Sequence, residues 1–388
     1  MKCTVQRYAL ARFVDTVMIL LYISIAFLVM YSILILYYRA GWQQVPVFVP
    51  ERNIAETKIS VIIPARNEEE NIGKLLTSIM AQTYPGHLYE VIVVDDNSKD
   101  NTAGIVKNFS FAKLIQPAFE NINSYKKKAL ETGIAAATGE LIVTTDADCI
   151  VPPNWLKTIA AFKKEKNAVF IAAPVMLEYK NNFLQIFQSL DFLVLQGITA
   201  AAVQKKIHNM CNGANLAYER KAFYEVDGFK GIDNIASGDD MLLMNKIAKR
   251  FPDQYFYLLS KEAIVTTNAA KTWKDFFSQR IRWASKATHY NDIKIFCALL
   301  LVYFFNLSLF ILFIACFWKP FLWIGLAGLL IAKTIIELAF IYPVAKFYNK
   351  TNLLNLFIVF QPIHIIYTII AGWLGRFSYF EWKGRKVK

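Results

Sequence analysis

The stretch Leu141–Asp148, LIVTTDAD, places two carboxylates directly after a short apolar run. Leu141–Val143 is apolar and partly β-branched, which predicts a buried strand. In an open α/β sheet, ligands bind outside the carboxyl ends of the strands, where Asp146 and Asp148 are then expected. Two carboxylates in that place can share one Mg²⁺ or Mn²⁺, a hard ion that prefers oxygen ligands. The alternative is two solvated aspartates in a turn, because an isolated D-x-D pattern is common.

Alternating strand and helix patterns surround this stretch on both sides. Apolar runs predict strands at residues 58–64, 90–96, 112–116, 140–145 and 169–174, and a further strand follows the turn at 211–218. Segments with helical spacing separate these runs, which predicts an α/β fold with a mostly parallel sheet and helices on both faces. The loop after the first strand lacks G-x-G-x-x-G, which disfavours a dinucleotide-binding domain.

The apolar residues of the chain are concentrated at its two ends. The 388 residues are 55% hydrophobic, too apolar for an ordinary soluble enzyme. Residues 13–38 are long enough to span a bilayer, and they exceed the apolar length of a signal peptide. Residues 293–374 predict about three further membrane segments, the last interrupted by Gln361 and Pro362. Lys333 and Glu337 lie four apart in one of them, which predicts pairing on one helix face, with a lipid path as the alternative.

The charge and cysteine content narrow the choice of partners. A net charge of +13 suits phosphorylated substrates or anionic lipid headgroups. The sequence contains no nucleic-acid-binding motif. Its five cysteines are scattered, which indicates neither a disulfide framework nor a zinc site. Residues 181–204 predict either a core helix or a helix at the membrane interface.

These patterns predict the following organisation. Residues 1–12 form an N-terminal segment, 13–38 a transmembrane helix, 39–57 a linker, 58–270 the catalytic domain, 271–292 an aromatic and basic amphipathic helix on the membrane surface, 293–374 the C-terminal membrane segments, and 375–388 a basic tail.

Five motifs occur in an order and spacing that resemble one family. VIIPARNEE, VVDDNSKDNT, TTDAD, SGDD and QRIRW together resemble the membrane-bound family-2 glycosyltransferases. That inverting group with the GT-A fold includes ceramide glucosyltransferases and the cellulose, hyaluronan and poly-N-acetylglucosamine synthases. The resemblance covers about residues 55–290, and the flanking membrane segments match as well.

The resemblance implies a nucleotide-binding role for several residues. Asp146 is expected at both the nucleotide and the metal, and Asp148 at the metal that neutralises the departing diphosphate. Asp95 or Asp96 is expected at the uracil or the ribose, and the alternative is capping of the following turn. Lys126 matches the family lysine, but Tyr125 replaces the usual glycine before it, so Lys127 or Lys128 could substitute, or all three could form a solvated face. The remaining residues expected at the base and ribose are Pro64, Ala65, Asn67 and Glu68.

The resemblance also implies the catalytic residues. Asp240 matches the general base that takes the acceptor proton in a single displacement, with Asp239 beside it. The alternative for both is negative charge at a helix N-terminus. Gln279, Arg282 and Trp283 match a motif of the family. Arg282 is expected to bind the diphosphate and Trp283 to stack beside the acceptor. The alternative for this motif is anchoring at the membrane interface. Gly213 and Asn215 are expected either to line the donor sugar or to form a structural turn.

The resulting expectation is a hexosyltransferase that moves a sugar from a nucleotide donor, UDP-linked, to a lipid or lipid-linked acceptor. A processive polysaccharide synthase ranks second, because one anchor and about three C-terminal segments are few for a polymer channel. A membrane scaffold or transporter is the non-enzymatic alternative. The expected location is a bacterial inner membrane with the catalytic domain facing the cytoplasm. Three full C-terminal spans would then place the basic tail outside, which a re-entrant or interfacial segment at 353–374 would avoid.

Overall fold

The computed structural model describes residues 2–50, 56–119, 124–180, 182–207, 210–235, 238–285, 292–377, 380–382 and 385–387. The chain divides into two compact units. One contains residues 41–278 and 379–388, and the other contains residues 1–40 and 279–378. The first unit is built on β-sheets, and the second is helical.

A seven-stranded sheet forms the centre of the first unit. In spatial order its strands are β3 (Ala112–Ile115), β2 (Tyr89–Asp95), β1 (Ile59–Ala65), β4 (Leu141–Thr144), β8 (Leu216–Glu219), β6 (Phe170–Ala172) and β9 (Tyr255–Tyr257). Only β8 runs antiparallel to its neighbours in this sheet, which confirms the mostly parallel α/β prediction. Strands β1, β2 and β4 are almost fully buried, as their continuous apolar runs predict.

Three short strands form a second sheet that the sequence patterns did not predict. It consists of β5 (Cys149–Ile150), β10 (Val265–Asn268) and β7 (Val175–Glu178). Strand β5 starts directly after Asp148, so residues 145–148 connect the two sheets. A third pair, β11 (Phe380–Trp382) and β12 (Arg385–Val387), forms a hairpin near the C-terminus.

The helices of this unit follow the predicted alternation. They are α2 (Ile72–Met80), α3 (Thr102–Lys107), α4 (Tyr125–Ala135), α5 (Trp155–Lys166), α6 (Phe183–Lys205), α7 (Arg220–Glu225) and α8 (Met241–Arg250). Helix α6 resolves one of the open alternatives. Although it is long and apolar enough to cross a membrane, 78% of its most apolar window is buried inside the protein, so it is a core helix.

The second unit is built from helices, most of which are long and apolar. They are most of α1 (Lys2–Gln43), the end of α9 (Trp273–Ser285), α10 (Ile293–Cys316), α11 (Leu322–Phe347) and α12 (Phe357–Phe377), which follows a 3₁₀ turn at Thr351–Leu356. Among the described residues, five segments could cross a membrane, including parts of α1, α10, α11 and α12. Helix α12 continues through Gln361 and Pro362, the two residues that interrupt its apolar sequence. Residues 286–291 of the predicted amphipathic segment lie outside the described residues, as do parts of the linker and the basic tail.

Polar side chains from three of these helices meet inside this unit. Lys333 Nζ donates to Glu337 Oε1 and to Gln361 Oε1, at 2.6 Å each. Gln361 Nε2 donates to Glu337 Oε2, and Tyr31 Oη donates to Glu337 Oε1, both at 2.5 Å. The predicted pairing of Lys333 with Glu337 is therefore confirmed. We call Tyr31, Lys333, Glu337 and Gln361 the intramembrane cluster.

Candidate active site

The loops that follow β1 and β2 bind each other at the carboxyl edge of the sheet. Asn67 has a positive φ of 50°, which asparagine tolerates better than most residues. Its backbone N–H donates to Ser98 Oγ at 2.9 Å, and its Oδ1 accepts from the Lys99 N–H at 2.8 Å. The Glu68 N–H donates to Thr102 Oγ1 at 2.8 Å. These bonds hold the backbone from Pro64 to Glu68 against the second loop.

Asp95 and Asp96 end β2, and their carboxylates are buried. Asp95 Oδ1 accepts from the backbone N–H and the hydroxyl of Ser98, at 3.1 and 2.5 Å. Its Oδ2 accepts from Gln116 Nε2 at 2.9 Å. Asp96 lies 3.9 Å from the Arg66 guanidinium. In this structure Asp95 therefore caps the turn that follows β2. A nucleotide contact by either aspartate remains a prediction.

Lys126 forms ion pairs with two aspartates that lie far apart in the sequence. Its Nζ lies 2.7 Å from Asp146 Oδ1 and 3.2 Å from Asp239 Oδ2. Asp146 follows β4, Asp239 precedes α8, and Lys126 lies in the first turn of α4. Its side chain and that of Asp146 remain 22% and 35% exposed, so the group is open to solvent. We call Lys126, Asp146, Asp239 and Asp240 the acidic cluster.

Two backbone N–H groups fix the orientation of the Asp240 carboxylate. Oδ1 accepts from the Met241 N–H at 2.7 Å, and Oδ2 accepts from the Gly213 N–H at 3.2 Å. A side chain at Gly213 would lie 3.2 Å from both Asp239 Oδ2 and Lys126 Nζ, so glycine permits this close approach. Asp240 also caps the N-terminus of α8, and the helix-terminus alternative thus describes its position without excluding a catalytic role.

The charge balance of the acidic cluster keeps Lys126 protonated. Burial alone lowers the pKa of Lys126, but the carboxylates of Asp146, Asp239 and Asp240 outweigh burial and raise it above its ordinary value. The site therefore contains a permanent ammonium group beside its carboxylates. Such a group can bind the negative charge of a diphosphate.

The three consecutive lysines have three different environments. Lys126 binds the carboxylates, and Lys127 is 1% exposed and donates to the Ile232 and Ile235 carbonyls at 2.8 and 2.5 Å. Lys128 is exposed and pairs with Glu131 at 3.1 Å. The interpretation of all three as a solvated face is therefore wrong, and Lys126 is the one that meets the predicted site residues.

Asn215 is a correction to the predicted donor-sugar pair. Its side chain is fully buried, and its amide donates to the Pro174 and Ala263 carbonyls at 2.8 Å each. Its Oδ1 accepts from Trp155 Nε1 at 3.0 Å. Since both N–H groups are engaged within the protein core, Asn215 supports the turn and does not face a sugar. Gly213, at the edge of the acidic cluster, remains a donor-sugar candidate.

The last predicted motif lies in the helical unit. Gln279, Arg282 and Trp283 belong to the end of α9, in the unit that contains the membrane helices. The Arg280 guanidinium stacks on the Trp283 ring, 4.3 Å from its centroid. Contacts of this motif with diphosphate or acceptor remain predictions.

Tyr218 is a neighbour of the site that the sequence reading missed. It lies on β8, stacked between Phe170 and Phe223 with ring centroids at 6.0 and 6.1 Å. Burial and the Asp239 carboxylate raise the pKa of Tyr218, so the phenol stays neutral. In the sequence, Tyr218 resembles any aromatic residue of a strand. Only the fold brings it near Asp239.

Sequence comparisons relate the chain to glycosyltransferases. Residues 60–227 match the sequence model described as Glycosyl transferase family 2. The chain is 28% identical over 235 residues to the probable glycosyltransferase YdaM of Bacillus subtilis (strain 168), covering 58% of this chain and 54% of that protein. It is 27% identical over 235 residues to the beta-monoglucosyldiacylglycerol synthase of Trichormus variabilis (strain ATCC 29413 / PCC 7937), covering 58% and 48%. The matches thus span about half the length of these relatives.

A solved structure shares the fold over nearly the whole chain. The mannosyltransferase PcManGT from Pyrobaculum calidifontis, in complex with GDP-Man and Mn²⁺, has a TM-score of 0.58 and 20% identity, covering 91% of this chain and 99% of that one. The fold is therefore of the GT-A type, as predicted. Within the chain, residues 60–227 are the part that matches glycosyl transferase family 2.

Proposed function

We propose that the protein is an inverting glycosyltransferase that moves a sugar from a nucleotide donor to a lipid acceptor at the membrane. The observation that carries the proposal is the acidic cluster, in which Lys126 joins Asp146 to Asp239 beside an oriented Asp240. A family-2 domain and apolar helices in the same chain support it.

Asp146 and Asp148 are the residues that would hold a divalent metal. Among the described residues, no three acidic, histidine or cysteine side chains are grouped closely enough to form a complete metal site. Two carboxylates fit an ion such as Mg²⁺ or Mn²⁺, which takes its remaining ligands from water and substrate phosphates. When bound there, the ion would neutralise charge on the departing nucleoside diphosphate. Lys126 adds a second positive charge on the same side of the sheet.

Asp240 is the proposed general base. Each carboxylate oxygen has two lone pairs, so the two backbone hydrogen bonds to Asp240 are compatible with a role as proton acceptor. The acceptor hydroxyl loses its proton to this carboxylate while its oxygen attacks the anomeric carbon and the bond to the diphosphate breaks. Asp239, whose Oδ2 is bound by Lys126, is better placed to hold Lys126 than to take the proton.

A lipid acceptor is the favoured choice within this reaction class. The helical unit supplies apolar surface in the same chain as the family-2 domain, and one relative is named a beta-monoglucosyldiacylglycerol synthase. Another relative, 26% identical over 232 residues, is the poly-beta-1,6-N-acetyl-D-glucosamine synthase of Staphylococcus epidermidis (strain ATCC 35984 / DSM 28319 / BCRC 17069 / CCUG 31568 / BM 3577 / RP62A). This match makes a processive synthase the second candidate. We place the catalytic domain on the cytoplasmic side of a bacterial inner membrane, where nucleotide sugars are made.

A donor panel tests the proposal. Purified protein in lipid is incubated with UDP- and GDP-sugars and Mg²⁺ or Mn²⁺, beside an Asp148→Ala variant, and nucleotide release and lipid products are measured. The proposal expects metal-dependent release with one donor and a glycolipid product, both lost in Asp148→Ala. Long polymer would favour the processive synthase. No release with any donor, even with native lipid extract as acceptor, would favour a scaffold or transporter.

A further inference from the structure

Lys127 is a buried lysine bound to main-chain carbonyls. Its side chain is 1% exposed, and its ammonium donates to the carbonyls of Ile232 and Ile235. Burying an ammonium group is costly unless hydrogen bonds replace its water, so these bonds must compensate for its desolvation. An apolar residue at this position could not donate to these carbonyls.

The segment that Lys127 binds is held by other side chains as well. The Ser124 hydroxyl donates to the Asp233 carbonyl, which lies between the two carbonyls that Lys127 binds. From the opposite end, Lys246 Nζ donates to the Gly228 and Lys230 carbonyls at 2.6 and 2.9 Å. Residues 228–235 contain no regular strand or helix, and side chains bind several of their carbonyls in addition to the backbone turn bonds.

This segment leads directly to the acidic cluster. Ile235 lies four positions before Asp239, and Asp240 follows at the N-terminus of α8. Lys126, adjacent to Lys127 on α4, binds the Asp239 carboxylate at 3.2 Å. One turn of α4 therefore fixes both the backbone before the acidic residues and one of their carboxylates.

We propose that Lys127 is a positioning residue that holds the backbone at Ile232 and Ile235, ahead of Asp239 and Asp240 in the chain, and so aims the Asp240 carboxylate at the acceptor hydroxyl. This inference rests on the proposed function. Lys127 is buried against this backbone, so its effect is expected on the transfer step, whereas Lys126 is partly exposed in the acidic cluster. A misplacement of about 1 Å in a catalytic group lowers a rate by roughly 10²-fold.

The test compares Lys127→Met with Lys128→Met, a matched change at the exposed neighbouring lysine. Three quantities are measured: hydrogen exchange of the peptide covering residues 228–243, the affinity for UDP with Mn²⁺, and the kcat and donor KM of sugar transfer. In Lys127→Met we expect faster exchange in this peptide, kcat lower by about 10²-fold and donor KM and UDP affinity within about twofold of wild type. Lys128→Met should match wild type in every measurement.

Lys127→Arg separates positioning from a general loss of stability. Because the guanidinium can donate to both carbonyls, this variant should recover part of kcat and slow the exchange again. Unchanged exchange in Lys127→Met, or a loss shared equally by UDP affinity and transfer, would overturn the inference. Wild-type protein that transfers no sugar would instead refute the proposed function, whereas the exchange measurement would still report whether Lys127 holds the segment.

Discussion

The acidic cluster and the intramembrane cluster each place a lysine against carboxylates, with opposite access to solvent. Lys126 Nζ lies 2.7 Å from Asp146, and both side chains are partly exposed. Lys333 Nζ lies 2.6 Å from Glu337, and its side chain is fully buried. An open pair can exchange partners when a charged substrate arrives, but a sealed pair cannot do so without exposing a charge to the apolar interior. We therefore expect the lysine–carboxylate pair of the acidic cluster to act in chemistry and that of the intramembrane cluster to act in helix packing.

The largest effect is expected from Asp240→Asn in the acidic cluster. The amide keeps the shape of the carboxylate but cannot accept the acceptor proton, so transfer should fall by about 10³-fold. UDP binding with Mn²⁺ should be retained. Asp233→Asn, an equivalent change at an exposed side chain of the same loop, is the control and should transfer at the wild-type rate. Equal rates in both variants would remove Asp240 from the catalytic role.

Glu337→Gln should destabilise the helical unit by about 3 kcal/mol, because it leaves Lys333 charged and buried without its counter-ion. Thermal unfolding in detergent, followed by helical circular dichroism, measures the loss. The double variant Lys333→Met with Glu337→Leu removes both charges and should recover most of the stability. If the single variant is as stable as wild type, the intramembrane cluster does not hold the helices together.

Lys126→Met should leave the fold intact and change the binding properties of the open cluster. Without the ammonium group, Mn²⁺ alone should bind about tenfold more tightly, since removal of a nearby positive charge is worth at least ~1 kcal/mol. Sugar transfer should nevertheless fall, because the diphosphate loses a cationic partner. Electron paramagnetic resonance of Mn²⁺ measures the affinity, with Lys128→Met as the control. Weaker Mn²⁺ binding would contradict this account.

The pKa shift of Lys126 also sets an expectation for pH. Because its pKa is raised in the folded protein, its interaction with the carboxylates is complete below the ordinary lysine pKa and is lost only as pH rises through the raised value. The pH profile of transfer between about pH 6 and 9 should therefore contain no step from this lysine.

The smallest effect on stability is expected at Lys206, which packs against an aromatic ring and a carbonyl, whereas the lysines of both clusters face carboxylates. Its Nζ lies 3.3 Å from the centroid of the Tyr255 ring and donates to the Tyr255 carbonyl at 2.6 Å. Burial lowers the pKa of Lys206 from 10.5 to about 8. Between these values the unfolded chain binds more protons than the folded one, so the free energy of unfolding rises with pH.

Lys206→Met should remove this part of the pH dependence. Thermal unfolding midpoints of wild type and variant are compared at pH 7, 9 and 10, and the wild type should gain stability relative to the variant over that window. A difference in unfolding midpoint that stays constant with pH would show that the pKa of Lys206 is not lowered in the folded protein. Partial exposure keeps the expected change small.

Sequence patterns predicted the strands whose residues are continuously apolar and buried. Strands β1, β2 and β4 are of this kind, and the position of Asp146 at the end of β4 followed from them. Strands β5 and β9 have two and three residues, too few for a periodic signal, and were missed. Their pairing depends on contacts with segments far away in the chain.

The details of the site depended on contacts that no local pattern contains. Three consecutive lysines look equivalent in sequence, and only the approach of residues 232–240, more than a hundred positions later, distinguishes Lys126 from Lys127. In the same way, the carbonyls of Pro174 and Ala263 decide that Asn215 is a core residue. Recognition of the motifs located the site but could not assign each polar side chain to substrate or scaffold.

The anomeric configuration of the product tests the central claim most directly. Purified wild-type protein is supplied with the α-linked nucleotide sugar that it uses, and the glycolipid is examined by nuclear magnetic resonance. A single displacement with Asp240 as base predicts a β-linked product. An α-linked product would contradict this mechanism, because it requires a second displacement that the acidic cluster, as described here, does not provide.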